Sequence, residues 1–285
     1  MPNKNVKLRL HPKPDLDNAN GGNASNKNIE QRHFLRVQES GAVIFYIMNI
    51  EKREYGLIPN HYQNWQNRQE WFFNRENTDT YEQWYEGRYK RAEIWQKKVM
   101  EQLVSKDKRV KTLLEFGCGT TRFTRWWKEI GIEASGGDIS PLMLSQAIQL
   151  FDGDLVMADS HNMPFKDHTF DALAFITTFE YYKDPVKVIR EAARVGKYGI
   201  AMGMMNRNSP KFIRRRVQQA FGKNPFYVTA TFYTPATLIK IIDEALKGRN
   251  YSIEWTCTGL PKWFPVQQWS VPYGDFFGLY IKLND

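Results

Sequence analysis

The stretch Glu115-Phe116-Gly117-Cys118-Gly119-Thr120-Thr121 closes a short apolar run, VKTLLEF at 110–116, and leads into a helical pattern that begins near Thr121. Glycines at such a turn let backbone come close to a ligand, because no Cβ intervenes. Many nucleotide-binding folds use Gly-x-Gly, so three further features decide the chemistry. Asp138 ends a second strand, GIEASGGD at 131–138, 23 positions after Glu115. A carboxylate there can accept both hydroxyls of a ribose held over the turn. A third run ends in Ala158-Asp159-Ser160, where a carboxylate can accept a hydrogen bond from an adenine amino group. Position 122 is Arg, where a dinucleotide fingerprint needs a small residue beside the pyrophosphate. An adenosine compound without a pyrophosphate fits this pattern better than NAD.

Glu180 follows a fourth apolar run, at the sheet edge where open α/β folds bind ligands. It would accept a proton or bind a cationic substrate; the alternative is a surface carboxylate paired with a nearby base. Tyr181 and Tyr182 follow as pocket walls or, for one of them, as packing under the next helix. Trp263, Phe264 and Trp269 lie in a Trp- and Pro-rich C-terminal loop, as a substrate wall or as core filling. His61, His161 and His168 are isolated, and there are only two cysteines, Cys118 and Cys257. No Cys/His cluster has metal-ligand spacing, so no metal site is expected. Cys118 sits where a small residue is needed and is expected to be inert.

The positioning elements follow from the hydrophobic pattern. Residues 1–30 are rich in Asn, Lys, Gly and Pro and read as a flexible polar leader. Residues 31–79 read as an N-terminal extension, with a hairpin around Glu39-Ser40-Gly41 and aromatics at helical spacing from His61 to Arg75. A helix is expected from about Thr80 to Val104. Strands follow at 110–116, up to Asp138, at Leu155–Ala158, Ala172–Ile176 and Tyr198–Met202. Helices come between them, one capped by Ser140 with Pro141 in its first turn. Strands alternating with helices imply a mostly parallel sheet covered on both faces. A helix at 235–247 and strands near 251–258 and 275–283 complete residues 80–285.

Taken together, the motifs over residues 80–285 resemble class I S-adenosylmethionine-dependent methyltransferases of the ubiquinone-biosynthesis-like subgroup. The family's acidic-x-Gly-x-Gly-x-Gly motif appears as Glu115, Gly117 and Gly119, with Thr121 in place of the third glycine. GGDISPLML (136–144), ADSHNMPFKDHTFDA (158–172) and ITTFEYYKDPVKVIREAARV (176–195) match the later motifs in order. The resemblance implies a Rossmann-like seven-stranded sheet with an antiparallel C-terminal strand pair. It also implies S-adenosylmethionine as cofactor, with the ribose on Asp138 and the adenine near Ile139, Asp159 and Ser160. Glu115 would steady the loop or the ammonium group, and Thr177 would face the methionyl end. Tyr81 and Tyr85 precede the first strand, in a segment that in this subgroup folds over the cofactor; ordinary helix packing is the alternative.

The acceptor is less constrained. An Asn/Asp-Pro-Pro-Tyr/Phe motif, common in base N-methylation, is replaced by Thr177-Thr178-Phe179-Glu180. Aromatics make up 14% of the chain, which suits a pocket for an apolar or planar small molecule. A net charge of +9 keeps a second reading open, an RNA methyltransferase; the basic run Arg214-Arg215-Arg216 is expected to be a solvated helix face. A third reading is a catalytically silent cofactor-binding subunit of a partner complex. The longest apolar run, AVIFYI at 42–47, is far below the ~20 residues that span a bilayer. Low cysteine usage then makes a cytoplasmic location the expectation.

Overall fold

The computed structural model describes residues 70–87, 89–221, 229–259, 268–270 and 272–284. The expected leader, the hairpin and nearly all of the extension lie outside these residues, as do Trp263 and Phe264.

The chain enters through a 3-10 turn (Glu70–Phe73) and helices α1 (Arg75–Asp79), α2 (Tyr81–Glu86) and α3 (Lys90–Val104). The single helix expected from Thr80 to Val104 is therefore two. The break falls at Gly87, whose backbone leaves helical geometry (φ −102°, ψ −103°). Then come β1 (Thr112–Phe116), α4 (Arg122–Glu129), β2 (Glu133–Asp138), α5 (Pro141–Leu150), β3 (Leu155–Met157) and β4 (Phe170–Ile176). A 3-10 turn (Phe179–Tyr181) precedes α6 (Pro185–Val195), β5 (Gly196–Met205), α7 (Lys211–Ala220), α8 (Pro235–Ala245), β6 (Tyr251–Thr258), β7 (Gln268–Trp269) and β8 (Phe276–Leu283).

The sheet runs β3-β2-β1-β4-β5-β8-β6-β7. β1 to β5 pair in parallel, and β8 and β6 add the antiparallel pair expected from the sequence. The eighth strand is only two residues long and pairs with the end of β6.

Burial explains the pattern of β1 and β4. Leu113, Ala172, Ala174 and Ile176 pack in one cluster with Val99, Met100 and Leu103 of α3 and Trp126 and Trp127 of α4. Leu114, Phe116, Leu173 and Phe175 alternate with them along the strands and are equally buried. Residues of opposite parity face opposite sides of a sheet, so a second helical layer is required. α6 packs on β4 and β5, and α5 on β2 and β3. Covered on both faces, the parallel strands leave their carboxyl edge as the accessible part. Strand order reverses there between β1 and β4, and ligands of open α/β sheets bind at that crevice.

Ser140 caps α5 as the sequence implies, its Oγ accepting from the Met143 N–H at 3.2 Å. The same hydroxyl donates to the Phe72 carbonyl at 2.6 Å, which ties the entering turn to the sheet edge. Ser140→Ala is expected to lower stability by about 1–2 kcal/mol through loss of both bonds. Urea denaturation checks this, and an unchanged midpoint would contradict it.

Candidate active site

The turn after β1 is built around positive φ. Gly117 and Gly119 have φ of 74° and 52°, and Thr121, in the place of a third glycine, has φ 68°. A β-branched residue is strained in this region. The fully buried Thr121 is held there, its hydroxyl donating to the Thr120 carbonyl. A Cβ on Gly117 would lie 2.1 Å from Thr178 Oγ1, so Thr178 of the turn after β4 rests directly on this glycine. A Cβ on Gly119 would meet only the Tyr81 ring, at 3.9 Å. The space over Gly119 is thus open, with an aromatic roof.

Asp138 is 8% exposed at the end of β2. Its Oδ2 accepts from the Gly119 N–H and its Oδ1 from the Ser140 N–H, both at 2.8 Å. Burial raises its pKa, and these backbone bonds oppose the rise. Glu115 is buried beside it, with Oε2 accepting from the Thr124 hydroxyl at 2.6 Å. Burial pushes Glu115 up to about 8. Cys118 is buried as well, and burial holds its thiol well above the ordinary value, in keeping with an inert residue.

Asp159 Oδ1 accepts from the His161 main chain at 2.9 Å and lies 2.7 Å from His161 Nδ1. Buried Ser160 shares a hydrogen bond with Tyr182. Thr177 has φ 51° and donates its N–H to the Gly203 carbonyl. Ile139, Asp159, Ser160 and Thr177 all line one cavity of about 370 Å³ with Glu115, Gly117, Gly119 and Asp138. That volume is within the range of small-molecule sites.

The three residues read as candidates for chemistry reach the same cavity. Glu180 is 3% exposed, not at the surface, because the 3-10 turn that carries it packs against β5. Its Oε1 accepts from the Met205 N–H at 2.9 Å. Its Oε2 is buried with no hydrogen-bond partner among the described residues. Burial pushes this carboxyl up to about 7. Tyr181 packs edge-on against Phe72 at 5.2 Å. Tyr182 packs against Phe175, Phe179 and His161, so both tyrosines are packed and both line the cavity. Tyr85 stands with its hydroxyl 3.4 Å from that of Tyr81.

Several lining residues have no signal in the local sequence. Arg122 sits over the Tyr85 ring at 4.6 Å and bridges Glu82 (2.7 Å) and Glu93 (2.6 Å). Glu82 also accepts from Thr120 and Arg125. These bonds fasten α2 and α3 onto the glycine turn; the arginine at position 122 was the one visible hint. The basic run also departs from expectation. Arg214 and Arg216 are exposed, but Arg215 is buried and pairs with Asp275 at 2.6 Å.

Comparison with known proteins agrees with this geometry. Residues 114–201 match the family model described as a methyltransferase domain. The chain carries a class I S-adenosylmethionine-dependent methyltransferase domain. It is 31% identical over 134 residues to the uncharacterized protein MJ1123 of Methanocaldococcus jannaschii, covering 46% of this chain and 62% of that protein. Over 106 residues it is 34% identical to a demethylmenaquinone methyltransferase of Thermotoga maritima, covering 36% and 45%. The chain thus spans less than two thirds of the length of these relatives. A crystal structure from Thermotoga maritima, a possible histamine N-methyltransferase, superposes with a TM-score of 0.59 at 21% identity, covering 74% of this chain and 98% of that one. It shares the fold.

The residues of the methyltransferase domain fit its cofactor. The open cradle over Gly119, the Asp138 carboxylate and the aromatic roof of Tyr81 suit an adenosine with a methionyl arm, and the acids around them suit its cationic groups. These buried acids also set a pH dependence. Glutamates ordinarily release a proton near 4.5, but in the folded chain Glu115 and Glu180 do so near 8 and 7. Between those values the folded state binds more protons than the unfolded, so stability falls as pH rises through the window. The thermal midpoint of the ligand-free protein is expected to drop between about pH 5 and 8.5. The Glu115→Gln/Glu180→Gln variant should show a flatter profile, and equal slopes would contradict the assignment.

Proposed function

We propose that this chain transfers the methyl group of S-adenosylmethionine to a small-molecule acceptor. One observation supports this above the rest: a single cavity joins the glycine turn and Asp138 to buried Glu180 and an aromatic wall of Phe72, Tyr181 and Phe232. When bound, the cofactor supplies an electrophilic methyl on a sulfonium, open to in-line displacement by an acceptor lone pair. Glu115, Gly117, Gly119, Asp138, Ile139, Asp159, Ser160 and Thr177 are the binding residues in this reading, while Thr121, fully buried and not on the cavity wall, shapes the turn behind them. Asp138 orients the ribose, with its carboxylate already fixed by two backbone N–H groups. Glu115 faces the ammonium group.

On the acceptor side, Glu180 Oε2 takes the proton that the attacking O–H or N–H gives up as its bond to carbon forms. Tyr85 and Tyr181 wall the reacting centre and exclude water. Orientation does most of the work, because effective molarities of ~10⁵ M or more are available from positioning alone. A cavity walled by aromatics suits a flat apolar acceptor, and the name of one relative, a demethylmenaquinone methyltransferase, supports that class.

Asp138→Ala is expected to weaken S-adenosylmethionine binding by about 1 kcal/mol or more, through lost charge-assisted hydrogen bonds; unchanged affinity in calorimetry would contradict the ribose assignment. Glu180→Gln should leave that affinity intact. It should also abolish a rise of turnover with pH centred near 7, where the carboxyl of the parent enzyme ionises. A parent-like pH profile in the variant would remove Glu180 from the reaction.

A further inference from the structure

The cavity is divided in charge along its length. Glu115, Asp138 and Asp159 stand at the carboxyl ends of β1, β2 and β3. The cation at that end, Arg122, is committed to Glu82 and Glu93. At the other end α7 turns Lys211, Arg214, Arg215 and Gln218 to the cavity. Their i, i+3, i+4 and i+7 spacing is one face of a helix.

Two of the three cations on this face, Lys211 and Arg215, pair with the Asp275 carboxylate. Arg215 binds it at 2.6 Å and Lys211 at 3.3 Å. Ser209 also donates to it, at 3.1 Å. Arg214 makes no ion pair or hydrogen bond among the described residues, yet it lines the cavity. Tyr181, Ala230 and Phe232 line the same cavity and pack with Phe72, Met205 and Phe212, and Arg215 of the basic face is near enough to Glu180 to lower its pKa. Glu180, whose Oε2 is buried and unpartnered among the described residues, lines the same cavity.

From this we infer that the acceptor is an aromatic or similarly flat apolar molecule with a protic group at its reacting end and an anionic group at the other, the anion held by Arg214 with Lys211 beside it. This rests on the methyltransferase reading and narrows it to acidic acceptors. The arrangement orients as well as binds. The basic face attracts the anionic group, so the acceptor enters with its hydroxyl or amine toward Glu180. Asp275 is paired to Arg215 and Lys211, which leaves Arg214 as the cation of this face without a carboxylate partner among the described residues. Arg214 is exposed, so its substitution spares the core.

The test uses two probes of equal shape and different charge, 4-hydroxyphenylacetate and 4-hydroxyphenylacetamide, titrated into the full chain saturated with S-adenosylhomocysteine. The acid should bind at least about 10-fold tighter than the amide, and added salt should erode that preference, as for a partly screened charge pair. Arg214→Gln should bring the two probes within about 2-fold and leave S-adenosylhomocysteine affinity unchanged. Equal binding of the probes, no binding of either at millimolar concentration, or a preference that survives Arg214→Gln would overturn the inference. If S-adenosylhomocysteine itself fails to bind, the methyltransferase reading falls; the same comparison on the ligand-free chain still decides the basic subsite.

Discussion

The Asp138 carboxylate holds two loops together. Taken from water at the end of β2, it is compensated by the N–H of Gly119 from one loop and of Ser140 from the other. A buried carboxylate without such donors would cost several kcal/mol, so the folded chain keeps both loops against it. The Gly119 bond fixes the bend after β1, and that bend sets where α4 begins. The Ser140 bond fixes the start of α5, whose capping hydroxyl reaches on to Phe72. Cradle, helix start and aromatic entry are thereby set by one side chain.

Around that point the remaining charges fall into three groups. Glu82, Glu93, Arg122 and Arg125 form a partly buried network that ties α2 and α3 to the glycine turn. Such pairs contribute little net stability individually, since desolvation offsets attraction; their effect is geometric, holding Tyr81 over Gly119 and Tyr85 against Arg122. Glu115 and Glu180 form the second group, kept partly protonated near neutral pH by burial. Asp275 and the cations of α7 form the third. For the anionic acceptor we propose, these groups grade the potential from the acidic strand ends to the basic face of α7.

Much of the sheet was legible because its residues obey local rules. β1 and β4 are continuous apolar runs, α5 starts on a Ser-Pro pair, and α6 runs from Pro185 to Val195 as its periodicity implies. The ends of β1 to β4 then bring Glu115, Asp138, Asp159 and Glu180 to one edge, which is why spacing alone brought these residues together. What stayed hidden depends on contacts distant in sequence. Burial of Arg215 requires Asp275, which belongs to the entry of β8, and nothing in the local run Arg214-Arg215-Arg216 distinguishes the middle residue. The anchoring of α2 needs Glu82 to meet Arg122, 40 positions away. Periodicity carried one helix through Gly87, since an isolated glycine interrupts a helical pattern only weakly. The left-handed Thr121 was visible only as a departure from a glycine, and the backbone angle explains why a glycine is the ordinary occupant.

The central claim is that the bend at Gly117 and Gly119, locked to Asp138, is the cofactor cradle. Titration of the full chain with S-adenosylhomocysteine, read by calorimetry and thermal midpoint alongside a Gly119→Val variant, tests it most directly. The account predicts one-to-one binding and a raised midpoint in the parent chain, both lost when a branched side chain fills the space under Tyr81. Absence of binding in the parent, or binding that persists in a folded Gly119→Val chain, would contradict it.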